Sequence, residues 1–189
     1  MHVVRPSSVG EYCLWYLRRE CRRRNDQHPI PENPEQLVQV MWQRHDGKMR
    51  KWFTHTTTRW HVVLLPASDL ANLVFLECNW TKAEGLVVPG GENYRLLDRV
   101  AENAIALGYL ARPSAHKHKV YYDDLRSGSL RLAGEERVAI CSAENSEIQT
   151  NPSALYYLLD GVGRCLPLMI LTKEHAEEHL PVEAFLAAK

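Results

Sequence analysis

The sequence predicts an α/β protein, in the broad sense that includes α+β, with a mixed sheet and about four helices. Three observations predict this class. Apolar residues recur at helical spacing over 8–25 and 92–107. A segment rich in aromatic and β-branched residues covers 51–65, and an apolar run of strand length covers 154–159. Helices and strands are therefore expected in one chain of 189 residues, which is long enough to bury one sizeable core.

The composition limits the classes of function. Lys plus Arg and Asp plus Glu number 23 each, so any affinity for nucleic acid or an anionic membrane must be local. No apolar run approaches the roughly 20 residues of a membrane helix, and Met1 to Ser8 lacks the apolar core of a secretion signal. We therefore expect a cytoplasmic protein without a membrane partner. Five scattered cysteines without a C-x-x-C pair predict reduced, mostly buried thiols.

The first element is a predicted helix over 8–25. Ser8 followed by Glu11 is a capping-box pattern that marks the start of a helix. The last turns carry a run of arginines beside Arg19, which we interpret as a candidate phosphate-binding face for DNA or RNA: Arg18, Arg22, Arg23 and Arg24. The alternative is a solvated helix end whose cations pair with nearby acids, and the net neutrality of the chain favours that alternative.

A second short helix is predicted to start at Asn33 and Pro34. Asn is a favoured N-cap, and Pro fits the first helical position. The pair Asp46-Gly47 ends this helix.

Residues 51–65 are predicted to form one long strand, or two strands with a bend, that stops at Pro66. Hydroxyl and imidazole side chains lie here beside two tryptophans. We interpret Trp52, His55 and Trp60 as candidate nucleic-acid-binding residues, because such a group holds a base or sugar by stacking and hydrogen bonds. The alternative is the exposed face of a strand.

Pro89-Gly90-Gly91 is the predicted boundary between two parts of the chain. Residues 1–88 would form an N-terminal helical and strand extension, with a short helix near 68–73 and a strand near 85–88. Residues 89–189 would form an α/β domain. One continuous domain is the alternative.

The C-terminal part is predicted to open with a helix from Glu92 to Leu107. A strand over 119–122 follows, and 130–132 is predicted to pair with 137–141 as a hairpin. A final helical region is predicted from Thr172 onward.

Two histidine patterns suggest metal sites. His175, Glu178 and His179 match H-x-x-E-H, which places both imidazoles on one helical face. We interpret them as residues of a solvated helix, since only ten residues follow and they offer a single acid as third ligand. His116 and His118 are interpreted as part of a loop tip. The sequence contains no P-loop and no G-x-G-x-x-G, which argues against the Walker and Rossmann classes.

The most informative stretch is 151–173, where the apolar run 154–159 ends at Asp160-Gly161. Gly163 and Arg164 follow at once. Such a turn presents backbone N–H groups and a guanidinium to a phosphate. The alternative is a β-hairpin, in which the glycines serve turn geometry alone and the arginine is solvated.

The order GLVVPGGENYRLLDRVAENAIALGYLARP, and then YYLLDGVGRCLPLMI, resembles the ParB and sulfiredoxin-like superfamily over about the last hundred residues. Asp160, Gly161 and Arg164 match the family's turn between a strand and a helix, and Arg95 corresponds to its upstream arginine. The resemblance implies nucleotide or phosphate binding, which in different members supports nucleoside triphosphate hydrolysis, phosphoryl transfer or nucleic-acid cleavage. The chain departs from the pattern at Gly163, where the family usually carries histidine or glutamate.

The resemblance also implies roles for individual residues. Arg164 would clamp a phosphate bidentately, and the backbone of Gly161–Gly163 would approach it closely. Asp160 would hold a metal, a hydroxyl or its own turn. Glu144 or Glu147 is the nearest candidate base in sequence.

The leading hypothesis is a nucleotide- or nucleic-acid-binding enzyme that acts on a phosphate group by hydrolysis or phosphoryl transfer, with a divalent metal as a possible cofactor. The alternative is a non-catalytic accessory factor of a phage or mobile element that binds DNA, RNA or protein.

Overall fold

A computed structural model describes residues 1–26, 29–44, 58–75, 79–87, 96–145, 154–175 and 181–189. The strands in these ranges are β1 (His2–Ser7), β2 (Arg59–Leu65), β3 (Val74–Phe75), β4 (Val138–Ser142), β5 (Tyr156–Asp160) and β6 (Val182–Ala188). The helices are α1 (Val9–Arg24), α2 (Pro34–Arg44), α3 (Ala67–Ala71), α4 (Asn79–Ala83), α5 (Leu97–Ala106), α6 (His116–Ser127) and α7 (Val162–His175).

The described strands form one mixed sheet in the order β1-β2-β6-β4-β5-β3. Two neighbouring pairs are parallel, β4 with β6 and β3 with β5, and the other pairs are antiparallel. The predicted α/β class with a mixed sheet is confirmed. The strands from 89–189, which are β6, β4 and β5, lie between β2 on one side and β3 on the other, and both of those strands come from 1–88. The two predicted parts therefore share a single sheet.

Helices cover both faces of the sheet. Along β4, Val138 and Ile140 pack into the cluster that includes residues of α5 and α7, whereas Ala139 and Cys141 pack into the cluster of α1 and α2. Successive side chains of a strand point to opposite faces, so a strand covered on both sides is apolar throughout. The result is a three-layer arrangement with the sheet in the middle.

The two N-terminal helices start where their capping residues predict. Ser8 has an extended backbone, and its hydroxyl accepts a hydrogen bond from the Glu11 N–H at 3.1 Å, so the predicted N-cap of α1 is confirmed. The Asn33 side chain accepts from the Glu35 N–H at 2.8 Å, and Pro34 is the first residue of α2. Both helix starts depend on contacts within four residues along the chain.

The predicted strand at 119–122 is wrong, because these residues belong to α6. Tyr122 is buried, and its hydroxyl donates a hydrogen bond to Glu174 of α7 at 2.5 Å. Leu125, three positions later, packs against the same core, which is helical spacing. Packing between α6 and α7 therefore overrides the β propensity of valine and tyrosine.

The C-terminal predictions also need correction. Helix α7 ends at His175, and the segment that follows Pro181 is a strand rather than a helix. This strand, β6, is covered on both faces, with Ala184 in one cluster and Phe185 in the other. A helix was predicted here, but a central strand that is covered on both faces is apolar without polar alternation. The predicted hairpin is wrong as well, because 130–132 is not a strand.

Other elements match in part. The short helix predicted near 68–73 corresponds to α3, which starts one residue earlier and ends at Ala71. The strand predicted near 85–88 is not formed by the described residues 85–87. The first part of the predicted strand (51–57), the predicted boundary at Pro89-Gly90-Gly91 and the start of the predicted helix (92–95) lie outside the described residues. Strand β1 was not predicted.

Four of the five cysteines fall in the described ranges, and all four are buried thiols: Cys13, Cys21, Cys141 and Cys165. Burial raises the pKa of the Cys165 thiol to about 12. Among the helices of the described ranges, none combines the length and apolarity needed to cross a bilayer.

Candidate phosphate-binding pocket

The candidate site lies where β5 passes into α7. The strand ends at Asp160, Gly161 makes the turn, and the helix begins at Val162. The hairpin alternative for this stretch is therefore wrong. Because β3 runs parallel to β5, both strands direct their carboxyl ends to the same edge of the sheet. Ligands in α/β proteins commonly bind at such an edge.

Gly161 is required by both its conformation and its surroundings. Its φ of +112° lies in the region that favours glycine. A Cβ at this position would lie 2.6 Å from Cγ1 of Val138 in β4. The Gly161 carbonyl accepts hydrogen bonds from the N–H groups of Arg164 and Cys165, at 2.9 and 2.8 Å, which closes the first turn of α7.

Asp160 and Arg164 form an ion pair within this turn. The Oδ2 atom of Asp160 accepts from Nη2 of Arg164 at 2.6 Å and from Nη1 of Arg19 at 2.8 Å. Arg164 is only 1% exposed, and its Nη1 also donates to Glu136 at 3.4 Å. Both guanidinium groups lie 5.9 Å from the ring centre of Trp15. A network of protein side chains therefore holds all three charges.

This geometry differs from the predicted roles of the turn. A bidentate phosphate clamp by Arg164 would require its ion pair with Asp160 to open. Asp160 in turn pairs with two guanidinium groups, so it serves as their anchor. The physical reason is the tight turn at Gly161, which brings Asp160 at the end of β5 beside Arg164 in the first turn of α7.

A pocket of about 470 Å³ opens beside the turn, between α1, α6 and the start of α7. The turn contributes Gly161, Gly163 and Arg164 to its wall, so the structure brings together three of the predicted phosphate-binding residues. Arg19 and Arg23 reach it from α1.

Lys117 brings another cation to this pocket from α6. Its Nζ lies 5.9 Å from the ring centre of Tyr121, which also lines the pocket. Partial desolvation lowers the pKa of Lys117, and the charges of Arg23 and Arg19 lower it further. Desolvation is the larger cause, and the arginine contributions show that cations of α1 lie close to Lys117.

His118 lies against the first turn of α7. Its Nδ1 makes a hydrogen bond of 2.6 Å with the Tyr109 hydroxyl, and its ring lies 4.8 Å from that of Trp80. A Cβ on Gly163 would approach Nε2 of His118 to 3.1 Å. Burial lowers the pKa of His118 below its ordinary 6.5, and Lys117 adds to this effect. The imidazole is therefore neutral at pH 7.

The lowered pKa of His118 predicts a pH dependence of stability. As the pH falls below 6.5, the unfolded chain takes up a proton at this residue before the folded protein does. The free energy of unfolding should therefore decrease as the pH decreases, with a slope of up to about 1.4 kcal/mol per pH unit from this group. His118→Gln should remove that part of the slope in urea unfolding between pH 5 and 7. His116→Gln, an exposed histidine on the same helix, should keep it.

The other predicted arginines are divided between two faces of α1. Arg18 and Arg22 line a separate groove, and Arg22 pairs with Glu135. Arg24 pairs with Glu20 at 3.2 Å and does not line the pocket, whereas Arg23, which pairs with Glu20 at 2.7 Å, does. The predicted continuous basic face is thus largely neutralised by acids of the same surface.

The tryptophan prediction is wrong for Trp60, which is only 5% exposed. Its ring stacks on Tyr12 of α1 at 4.6 Å, so it belongs to the core between the sheet and α1. Trp52, His55 and Arg95, which the sequence also suggested, lie outside the described residues.

Glu144, the candidate base, is exposed and follows the end of β4. Ala139, at the start of β4, pairs with Asp160, whereas Ser142 pairs with Tyr156 at the other end. The antiparallel register therefore separates Glu144 from Asp160 by the length of the strand. The structure does not bring the two candidate catalytic residues together.

The metal hypothesis is only partly addressed by the described residues. His175 ends α7, with its Nε2 3.2 Å from the Tyr122 hydroxyl. Glu178 and His179 lie outside the described ranges. Within those ranges, no group of three or more His, Cys, Asp or Glu side chains is arranged to hold a metal ion.

Several residues of the pocket were not predicted, because they come from segments that are distant in sequence from 160–164. Lys117 and His118 were assigned to a loop, and Tyr109 and Trp80 were given no role. A usable signal was present: Lys117 and Tyr121 are four residues apart and so share one helical face. No pattern in the sequence indicated that this face would meet Gly163.

In comparisons with known proteins, no family model, no curated protein and no solved structure matches this chain. The resemblance to the ParB and sulfiredoxin-like superfamily therefore stays a prediction.

Proposed function

We propose that this pocket binds a phosphate group of a nucleotide or of a nucleic acid, and that the protein acts on that phosphate. The local charge carries the proposal. The described side chains that line the pocket include four cations and two carboxylates: Arg19, Arg23, Lys117, Arg164, Asp160 and Glu84. Arg23 and Arg164 also pair with acids outside this wall, Glu20 and Glu136, so the charge of Lys117 is the one without a carboxylate partner in the described ranges. A concave surface with excess positive charge attracts anions.

The start of α7 adds backbone donors. The N–H groups of Val162 and Gly163 precede the first hydrogen bonds of the helix, and they have no acceptor within the described part of the chain. A helix of 14 residues carries a partial positive charge at this end. Phosphate groups bind readily at such helix starts.

The aromatic side of the pocket favours a nucleotide over free phosphate. Trp80, Tyr109 and Tyr121 all line it; Tyr109 is only 1% exposed, so Trp80 and Tyr121 are the rings accessible to a base. Aromatic rings bind bases by stacking, which is worth about 1–3 kcal/mol per base. A nucleotide would use both the cationic and the aromatic wall. Such a ligand and the buried thiols fit the cytoplasmic location that we propose.

Lys117 is the cation best placed to test this proposal. Within the described ranges it has no carboxylate partner, unlike Arg19, Arg23 and Arg164. We expect Lys117→Gln to weaken the binding of ribonucleoside triphosphates about tenfold, because a charge-assisted hydrogen bond contributes about 1.5–3 kcal/mol. Isothermal titration calorimetry at low ionic strength would measure the change.

The matched control for that experiment is Lys119→Gln. Lys119 lies on the same helix and pairs with Asp123 away from the pocket, so its loss should leave the affinity within about twofold. Equal effects of the two variants would indicate nonspecific attraction. No binding of any ribonucleoside triphosphate or short oligonucleotide by the parent protein would overturn the proposal.

Binding without chemistry is the second candidate function. It is favoured by the separation of Glu144 from Asp160 and by the two ion pairs of Asp160. In that case the protein would act as a non-catalytic accessory factor that recognises DNA or RNA, and triphosphate would bind without being hydrolysed.

A further inference from the structure

We propose that His118 is the proton-transferring residue of the pocket, whose Nε2 takes a proton from the water molecule that attacks the bound phosphate. The inference rests on the proposed function. It supplies the base that neither Asp160 nor Glu144 can provide in this arrangement.

The imidazole of His118 is oriented by one of its two nitrogens. Nδ1 is held by the Tyr109 hydroxyl at 2.6 Å, whereas Nε2 has no hydrogen-bond partner within the described ranges. A ring with one anchored nitrogen and one free nitrogen is the usual arrangement of a histidine that transfers protons. The Trp80 ring, 4.8 Å away, packs against the same imidazole and limits its rotation.

Nε2 of His118 lies next to the backbone that would hold the proposed phosphate. This nitrogen would lie 3.1 Å from a Cβ on Gly163, so it occupies the space that a side chain there would fill. Glycine at this position keeps the imidazole next to the backbone N–H groups that would hold the phosphate. A water molecule between the ligand and Nε2 would be within reach of both.

The protonation state fits the role. The charged and titratable groups that face His118 are Lys117 on its own helix, Tyr109 before that helix, and Glu84 after α4. Burial and the charge of Lys117 keep the imidazole neutral near pH 7, while Glu84 is engaged with Arg112 at 3.1 Å. A neutral imidazole can accept a proton.

The step balances with water as the co-reactant. The water oxygen forms a new bond to phosphorus, and the bond from phosphorus to the leaving oxygen breaks, with its electron pair going to that oxygen. The water proton moves to Nε2, and His118 later releases it to solvent. The step requires the tautomer in which Nδ1–H donates to the Tyr109 oxygen across the 2.6 Å contact, because only that tautomer leaves the Nε2 lone pair free to accept the proton.

The test compares His118→Gln with His116→Gln in the full-length protein. Release of inorganic phosphate from the common ribonucleoside triphosphates would be measured together with their affinity by calorimetry. We expect His118→Gln to lower the hydrolysis rate by about 100-fold or more while the affinity stays within about threefold. His116→Gln, which lies outside the pocket, should match the parent protein in both measurements.

A second variant separates proton transfer from a structural role. His118→Ala should regain part of its hydrolysis rate when free imidazole is added, because the removed ring leaves space beside Gly163. Hydrolysis unchanged by His118→Gln would overturn the inference and leave the proposed function intact. Binding without hydrolysis in the parent protein would overturn the inference and the catalytic part of the proposed function, and would favour the second candidate function. A parallel loss of affinity and rate would also overturn the inference. Absence of binding in the parent protein would overturn both.

Discussion

Replacement of Arg164 with Met is expected to destabilise the protein by about 3 kcal/mol. Arg164 is only 1% exposed, and its guanidinium pairs with Asp160 at 2.6 Å. Methionine fills part of the volume but leaves a poorly solvated carboxylate with one cation fewer. Asp160 keeps Arg19 as a partner and part of its own exposure, so the cost should lie at the lower end of the range for broken buried pairs. Urea unfolding at pH 7 measures it.

The matched control is Arg22→Met. Arg22 is exposed and pairs with the exposed Glu135, so its loss should cost less than about 1 kcal/mol. In the double variant Arg164→Met with Asp160→Asn, the cost should be smaller than the sum of the single costs, because the orphaned charge is gone. An additive result, or a loss for Arg164→Met no larger than the control, would contradict the view that this pair holds the turn.

Gly161→Ala is expected to cost about 3 kcal/mol, from two sources that add. The φ of +112° strains a residue with a Cβ, and that Cβ would lie 2.6 Å from Cγ1 of Val138. Backbone strain of this kind costs about 1–3 kcal/mol, and overpacking costs a similar amount. The midpoint of urea unfolding should fall accordingly.

Gly128→Ala separates the two sources. Gly128 ends α6 with a φ of +75°, but a Cβ there meets no atom of its described surroundings within 4 Å. Gly128→Ala should therefore lower the free energy of unfolding by only about 1 kcal/mol, from backbone strain alone. If both variants lose the same stability, the contact of Val138 with the turn would not contribute to the cost of Gly161→Ala.

The sequence predicted those parts of the fold that depend on short-range contacts. The caps at Ser8 and Asn33 act within four residues, and both helices start as expected. The turn at Asp160-Gly161 is equally local. The segment of β6 was predicted to be helical, and residues 119–122, which are helical, were predicted to be a strand. Both predictions failed because these conformations depend on neighbours that are distant in the chain.

The same distinction applies to the candidate site. Gly161, Gly163 and Arg164 were found because they form one compact motif. Lys117 and His118 reach the pocket only through the packing of α6 against α7. The burial of Arg164 was not predictable either, since a glycine-flanked arginine in a turn is just as compatible with solvent. Sequence reasoning therefore located the motif but not its partners.

The position of β6 affects how the chain can fold during synthesis. This strand follows the other five described strands in sequence, yet it occupies the middle of the sheet and joins β1-β2 to β4-β5-β3. Until residues 182–188 leave the ribosome, β2 and β4 each keep an open edge, and such edges pair readily with other chains. The nascent protein therefore completes its sheet only after residues 182–188 have emerged, and loss of this segment would expose the open edges to aggregation.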